Sequence, residues 1–155
     1  MTMQNDDTTN RTGVPPEPPE AHQSAGWDSP IHIYTRSQAL ADGVLVDVSE
    51  MAREAGFRVP VALTRSAWDD CVAWTEVDSR RQTSAIQDPA GRQWDVLWLA
   101  SLAAKRGRGD RVTFEIYRVP RDGKTARPKQ AHLQMQIGPG DAGEPVISIM
   151  LPGED

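Results

Sequence analysis

Apolar side chains recur along this chain at two different periods. From Thr64 to Thr75, Ala67, Trp68, Cys71, Val72 and Trp74 fall on one side of a helical wheel with Asp69 and Asp70 opposite. That spacing predicts an amphipathic helix with Cys71 on its buried face. From Arg92 to Lys105, Trp94, Leu97, Trp98, Ser101 and Leu102 keep helical spacing while Val96, Leu99 and Ala100 make the other side apolar too, the pattern of a central, nearly surrounded helix. After "KRGRGDR" the period drops to two. In "RVTFEIYRV", Val112, Phe114 and Ile116 alternate with Thr113, Glu115 and Tyr117, and in "HLQMQI", Leu133, Met135 and Ile137 alternate with His132, Gln134 and Gln136. "PVISIML" is apolar almost throughout. Joined by the turn-rich links "PRDGKTARPK" and "GPGDAGEP", these read as three sequential antiparallel strands, the last packed on both faces.

Shorter elements precede them. "IHIY" has the composition of a short strand, Thr35 can cap a helix ending at Ala41, and Asp42-Gly43 supplies the turn that stops it. "VLVDV" reads as a second short strand. Asp47 and Glu50 have capping-box spacing, and Gly56 ends the helix that they start. In "RVPVAL", Pro60 marks an edge strand, and Thr64 offers a further cap. Residues 76–88 read as a polar connection ending in Asp88-Pro89, a cap followed by proline at a first helical position. The expected fold class is therefore α+β, with N-terminal short strands and helices packed on a C-terminal three-stranded antiparallel meander.

Composition sets the limits of this fold. Residues 1–26 are rich in Asn, Thr, Pro and Glu, lack apolar periodicity and contain "PPEPPE", so they read as a disordered acidic tail before a single domain over 27–155. No run reaches the roughly 18–20 apolar residues of a membrane helix, and "MTMQNDDTTNRTG" has no signal-peptide character. A cytoplasmic location without membrane contact is the expectation. One cysteine and three scattered histidines give no disulfide and no metal-ligand spacing.

Charge changes the picture more than composition does. The net of -5 conceals a basic band: residues 105–129 hold nine of the seventeen Lys and Arg, namely Lys105, Arg106, Arg108, Arg111, Arg118, Arg121, Lys124, Arg127 and Lys129, against three acids. The ends of the chain are acidic. If these loops converge, phosphate contacts without base readout are the expected mode, with Tyr117 as a stacking group. Arg36 and Arg65 each follow a threonine at a helix start, a placement that could hold an anion.

"YTRSQALADGVLVDVSEMAREAGFRVPVALTRSAWDDCV", "RVTFEIYRVPRDG" and "IGPGDAGEPVISIMLPGED" together resemble a family of small bacterial proteins of unknown function, often carried on phages, plasmids and conjugative elements. The likeness spans about residues 31 to 155. It implies a setting of mobile DNA and brings no catalytic residue with it.

Catalytic chemistry finds little support in the residues themselves. The sequence contains no phosphate loop, dinucleotide fingerprint, HExxH or nucleophile elbow, and no cofactor is expected. Asp47, His32 and His132 are each explained by a cap or a strand position, and Cys71 lacks the electropositive setting of a reactive thiol. The expected function is that of a non-enzymatic interaction protein of a mobile element, binding a host protein or nucleoprotein complex to modulate defence or DNA transfer. Direct nucleic-acid binding through the 105–129 loops is the alternative. An enzyme acting on a phosphorylated or nucleotide substrate through Arg36, Arg65, His32 and Asp47 comes last.

Overall fold

The computed structural model describes residues 33–154. In chain order these form α1 (Arg36–Ala41), β1 (Leu45–Asp47), α2 (Ser49–Glu54), β2 (Val61–Thr64), α3 (Arg65–Cys71), α4 (Glu76–Arg81), α5 (Pro89–Arg106), β3 (Arg111–Arg118), β4 (Lys129–Pro139) and β5 (Pro145–Met150). The expected tail over 1–26, and Ile31 and His32 of the expected first strand, lie outside the described residues. Ile33 and Tyr34 belong to no strand and are exposed.

Local chemistry starts and stops most of the helices. The Thr35 hydroxyl accepts from Gln38 N while the Gln38 side chain accepts from Thr35 N, a reciprocal box that opens α1. Gly43, at φ 74°, turns the chain out of it. Thr64 caps α3 through Ala67 N, and Asp88 accepts from Gly91 N at 2.8 Å with Pro89 in the first turn of α5. The Asp47–Glu50 box does not form. Asp47 is the last residue of β1, Val48 takes the cap position without a side-chain bond, and the Asp47 carboxylate accepts instead from the backbone and hydroxyl of Ser49.

One five-stranded sheet runs in the order β1-β2-β5-β4-β3. β3 pairs antiparallel with β4 and β4 with β5, but the sheet does not end there. β2 lies parallel to β5 and carries β1 on its far side. The N-terminal strands therefore extend the sheet rather than pack on it, and β2 is an interior strand. Pro60 is tolerated because it stands just before β2, where its carbonyl accepts from Ile147 N at 2.9 Å.

Alternation along the strands divides the sheet into two faces. Val61, Leu63, Phe114, Ile116, Leu133, Met135, Ile147 and Ile149 join Ala52 of α2, Ala67 and Cys71 of α3, and Val96, Leu97 and Ala100 of α5 in one buried cluster. Only one side of α5 is covered. Trp98 is 44% exposed and stacks on Trp94 with ring centroids 5.9 Å apart, which corrects the expectation of a helix buried all round. The amphipathic helix is also shorter than its pattern: α3 stops at Cys71, and Thr75 with Asp78 opens the separate α4. On the opposite face of the sheet stand Asp47, Ala62, Ser148, Gln134, Gln136, Thr113, Glu115 and Tyr117. The β3–β4 part of that face is open, with Thr113, Glu115, Tyr117 and His132 exposed.

Candidate functional site

The basic band is divided by the strand that runs through it. Arg111 and Arg118 end β3 about 23 Å apart at roughly 3.3 Å per residue. Lys105, Arg106 and Arg108 sit at the Arg111 end, the first two completing the last turn of α5 where cations suit the helix dipole. Arg118, Arg121, Lys124, Arg127 and Lys129 gather at the other end, with Lys129 directly opposite Arg118 in register.

At that second end the structure adds a helix that hydrophobic periodicity misses. Asp78 of α4 is 4% exposed and accepts from Thr75 N, from the Thr75 hydroxyl and from Arg121 Nε at 2.9 Å. Burial pushes its pKa up, but the Thr75 bonds and the Arg121 charge outweigh burial and hold the carboxyl below its ordinary value. Gln82 just after α4 donates to Thr125 O at 2.7 Å, so the 119–128 loop is clasped to α4 and Arg80 and Arg81 arrive beside it. Three cations here are already paired. Arg118 forms a fork with Asp70 at 2.8 and 3.2 Å, Arg121 reaches Asp78 and Asp69 O, and Arg80 meets Glu76 at 3.1 Å. Among the described residues, the side-chain nitrogens of Arg81, Lys124, Arg127 and Lys129 form no ion pair within 4.0 Å, and the Asp122 carboxylate of the same loop accepts from Lys124 N at 2.9 Å. These four form the unneutralised basic end.

Arg92, in the first turn of α5, is buried. It is 5% exposed and donates to Val72 O, Val119 O, Asp70 O and the Gln87 side chain, with its guanidinium 5.1 Å from the centre of the Trp74 ring. It joins the end of α3, the first turn of α5 and the residue after β3, and so holds the base on which the basic end stands.

Arg36 and Arg65 are placed apart and both are engaged. The Arg36 side chain lies across the open face, donating to Ser148 Oγ at 2.9 Å and Ile147 O at 3.0 Å. The anion at the start of α1 is the chain's own Asp141, which accepts from Arg36 N, Ser37 N and the Ser37 hydroxyl. These bonds lower the Asp141 pKa. Arg65 Nε donates to Gly43 O at 2.9 Å. At the start of α3, Glu154 accepts from the Thr64 hydroxyl and from Leu151 N. Of the set considered for catalysis, Asp47 shares the open face with Arg36, registered to Ser148 through Ala62. Arg65 is held at Gly43, and His32 lies outside the described residues. A pocket of about 380 Å³ opens beside Arg36, bounded by Tyr34, Leu45, Gln136, Val146 and Met150. Among the described residues, the Tyr34 phenol, bonded to Asp42, is its one ionisable lining group besides Arg36.

Burial, with Asp70 beside it, pushes the Cys71 thiol up to about 12, far from thiolate chemistry at neutral pH. His132 stands 3.5 Å from Glu115 on the open face with both side chains half exposed. Among the described residues, no three His, Cys, Asp or Glu come together as a metal site, and no helix is long and apolar enough to cross a membrane.

Fold and surface together define an α+β protein with a mixed five-stranded sheet, one helix-covered face, one partly open face and a divided basic surface. The chain belongs to a family of unknown function, DUF6573, whose model matches residues 25–155. Comparison with curated proteins and with solved structures gives no match.

Proposed function

We propose that this chain is a non-catalytic interaction protein that docks an acidic surface of a host protein or nucleoprotein complex, in the setting of a mobile genetic element. The observation that carries the reading is the basic end: Arg81 of α4, Lys124 and Arg127 of the clasped loop and Lys129 at the start of β4 lie at one end of the sheet, while Arg80, Arg118 and Arg121 take up Glu76, Asp70 and Asp78 and Asp122 accepts from the Lys124 backbone. Like charges left unpaired favour a partner surface of complementary charge, raising association rate and setting its orientation. The mobile-element setting, and with it modulation of defence or DNA transfer, rests on the family resemblance alone. A pull-down from host lysate with and without nuclease, using the full chain and an Arg81→Glu/Lys124→Glu/Arg127→Glu variant, tests the reading. The same partner should be retained by the wild type and lost by the variant. Equal retention by both, or no retained partner under either condition, refutes it.

A second reading, direct binding of nucleic acid, is favoured by Tyr117. It is 67% exposed and stands next to Arg118 and across from Gln130, beside Lys129, so a stackable ring adjoins the basic end. For four phosphate contacts to a single strand, log affinity should fall with log salt at a slope of about -3. Salt-independent or absent shifts in a gel titration remove this reading.

A further inference from the structure

The sheet has two edges of unequal character. β1 is three residues long, whereas β3 runs for eight, Arg111–Arg118, with neither proline nor lysine inside it to discourage pairing. Ile137 N donates to Asp110 O at 2.8 Å, which makes Asp110 and Ile137 a hydrogen-bonded pair of the β3–β4 ladder. In an antiparallel ladder such pairs alternate, so Val112, Phe114 and Ile116 direct their backbone groups to β4 while Arg111, Thr113, Glu115 and Tyr117 direct theirs outward. Among the described residues, no group hydrogen-bonds to the outward amides and carbonyls of Thr113, Glu115 and Tyr117.

From this edge we infer that two copies of the chain associate through antiparallel β3–β3 pairing about a two-fold axis at Phe114, giving a continuous ten-stranded sheet. Independently of the functional reading above, three features of the strand fit a second copy. With the axis at Phe114, Thr113 faces Glu115 of the other copy and Arg111 faces its Tyr117, so all four outward-directed residues meet outward-directed residues and about eight backbone bonds can form. Like parity also keeps each face intact: Val112 meets Ile116 on the covered side, and no apolar side chain is turned to water. The charges nearest the axis are compatible as well. Arg111 of one copy, whose side chain donates to Gln136 of its own β4, comes diagonally beside Glu115 of the other, whereas moving the axis to Glu115 sets two carboxylates face to face. An axis at Thr113 brings Tyr117 opposite Gly109, which at φ 92° is outside the strand, and forfeits that part of the ladder.

Sedimentation of the full chain across a range of concentrations, combined with amide hydrogen exchange, tests the pairing. A species of twice the 17.1 kDa of one chain is expected, with the amides of Thr113, Glu115 and Tyr117 protected as it forms. Thr113→Pro removes an outward N–H and none of the β4 ladder, so it should sediment as a monomer with an unchanged far-UV spectrum. Glu115→Arg should weaken association by about tenfold, and Arg111→Glu/Glu115→Arg should restore it. The inference is overturned by a single-chain mass at every concentration, by a dimer that Thr113→Pro leaves intact, or by a dimer in which the Tyr117 amide exchanges freely.

Discussion

Replacing Arg92 by methionine should destabilise the fold more than any change among the exposed arginines. Methionine keeps a straight stem of similar volume, so the perturbation is loss of the guanidinium rather than creation of a large cavity. Arg92 has no carboxylate within 4.0 Å among the described residues. Its charge is held by three main-chain carbonyls, the Gln87 amide and the face of Trp74. Burial lowers its pKa, from a starting value so high that it remains protonated. Without it, Val72 O and Val119 O lose buried donors at about 1–3 kcal/mol each, while Asp70 O and Gln87 stand nearer solvent and can turn to water. Methionine therefore costs about 2–6 kcal/mol, a large share of the roughly 5–15 kcal/mol that holds a domain together. Arg92→Lys keeps the charge but concentrates its donors on one nitrogen, which cannot span the carbonyls at the ends of α3 and β3, and it should recover less than half of the loss. Equilibrium unfolding in urea measures all three proteins. A methionine variant within about 0.5 kcal/mol of the wild type would refute the reasoning, since water or rearrangement would then be satisfying those carbonyls at no cost.

Two further predictions rest on buried groups. Because the Asp78 carboxyl is held below its ordinary value, the unfolded chain binds more protons in the acid range. Its stabilisation is fully present above the ordinary value of about 3.9 and is lost as pH falls through the folded one. Asp78→Asn should therefore be less stable than wild type at neutral pH, with the gap closing in urea titrations below about pH 4; a gap constant with pH would contradict this. Cys71, with its thiol raised to about 12, should resist alkylation at pH 8 in the folded chain and react promptly in concentrated urea. Modification at the rate of a free thiol without denaturant would show that α3 opens, or that the thiol is not buried.

Elements set by short-range chemistry were legible in the residues. Thr35, Thr64 and Asp88 each offer an oxygen three residues ahead of an orphan N–H, and all three act as caps. Asp47 has the same spacing to Glu50 and fails, because Asp47 pairs with Ala62 and the sheet draws the strand one residue further, moving the cap position to Val48. α4 escapes a periodicity argument for a different reason. Its buried residue is Asp78, and its largest apolar side chain, Val77, is half exposed, so polar bonds rather than an apolar stripe hold it. The position of β2 was hidden as well. Its partner β5 lies more than eighty residues away, and a four-residue apolar run does not reveal which strand it will meet.

The basic band shows where composition stops informing about a site. All nine cations are plain in the sequence, but which of them remain unneutralised depends on Arg118 meeting Asp70 and Arg121 meeting Asp78, pairs 48 and 43 positions apart. It depends equally on β3, which sends the two halves of the band to opposite ends. Antiparallel pairing of two β3 strands reverses that separation. The Arg111 end of one copy then adjoins the Arg118 end of the other, and Lys105, Arg106 and Arg108 come beside Lys124, Arg127 and Lys129 of the second chain. Each such junction gathers charges that repel at low salt and that a polyanionic surface would neutralise. Pairing and partner binding are then linked: a ligand that prefers the joined surface strengthens the dimer by the factor by which the dimer strengthens the ligand. A band that one copy divides becomes, in two copies, a pair of continuous surfaces.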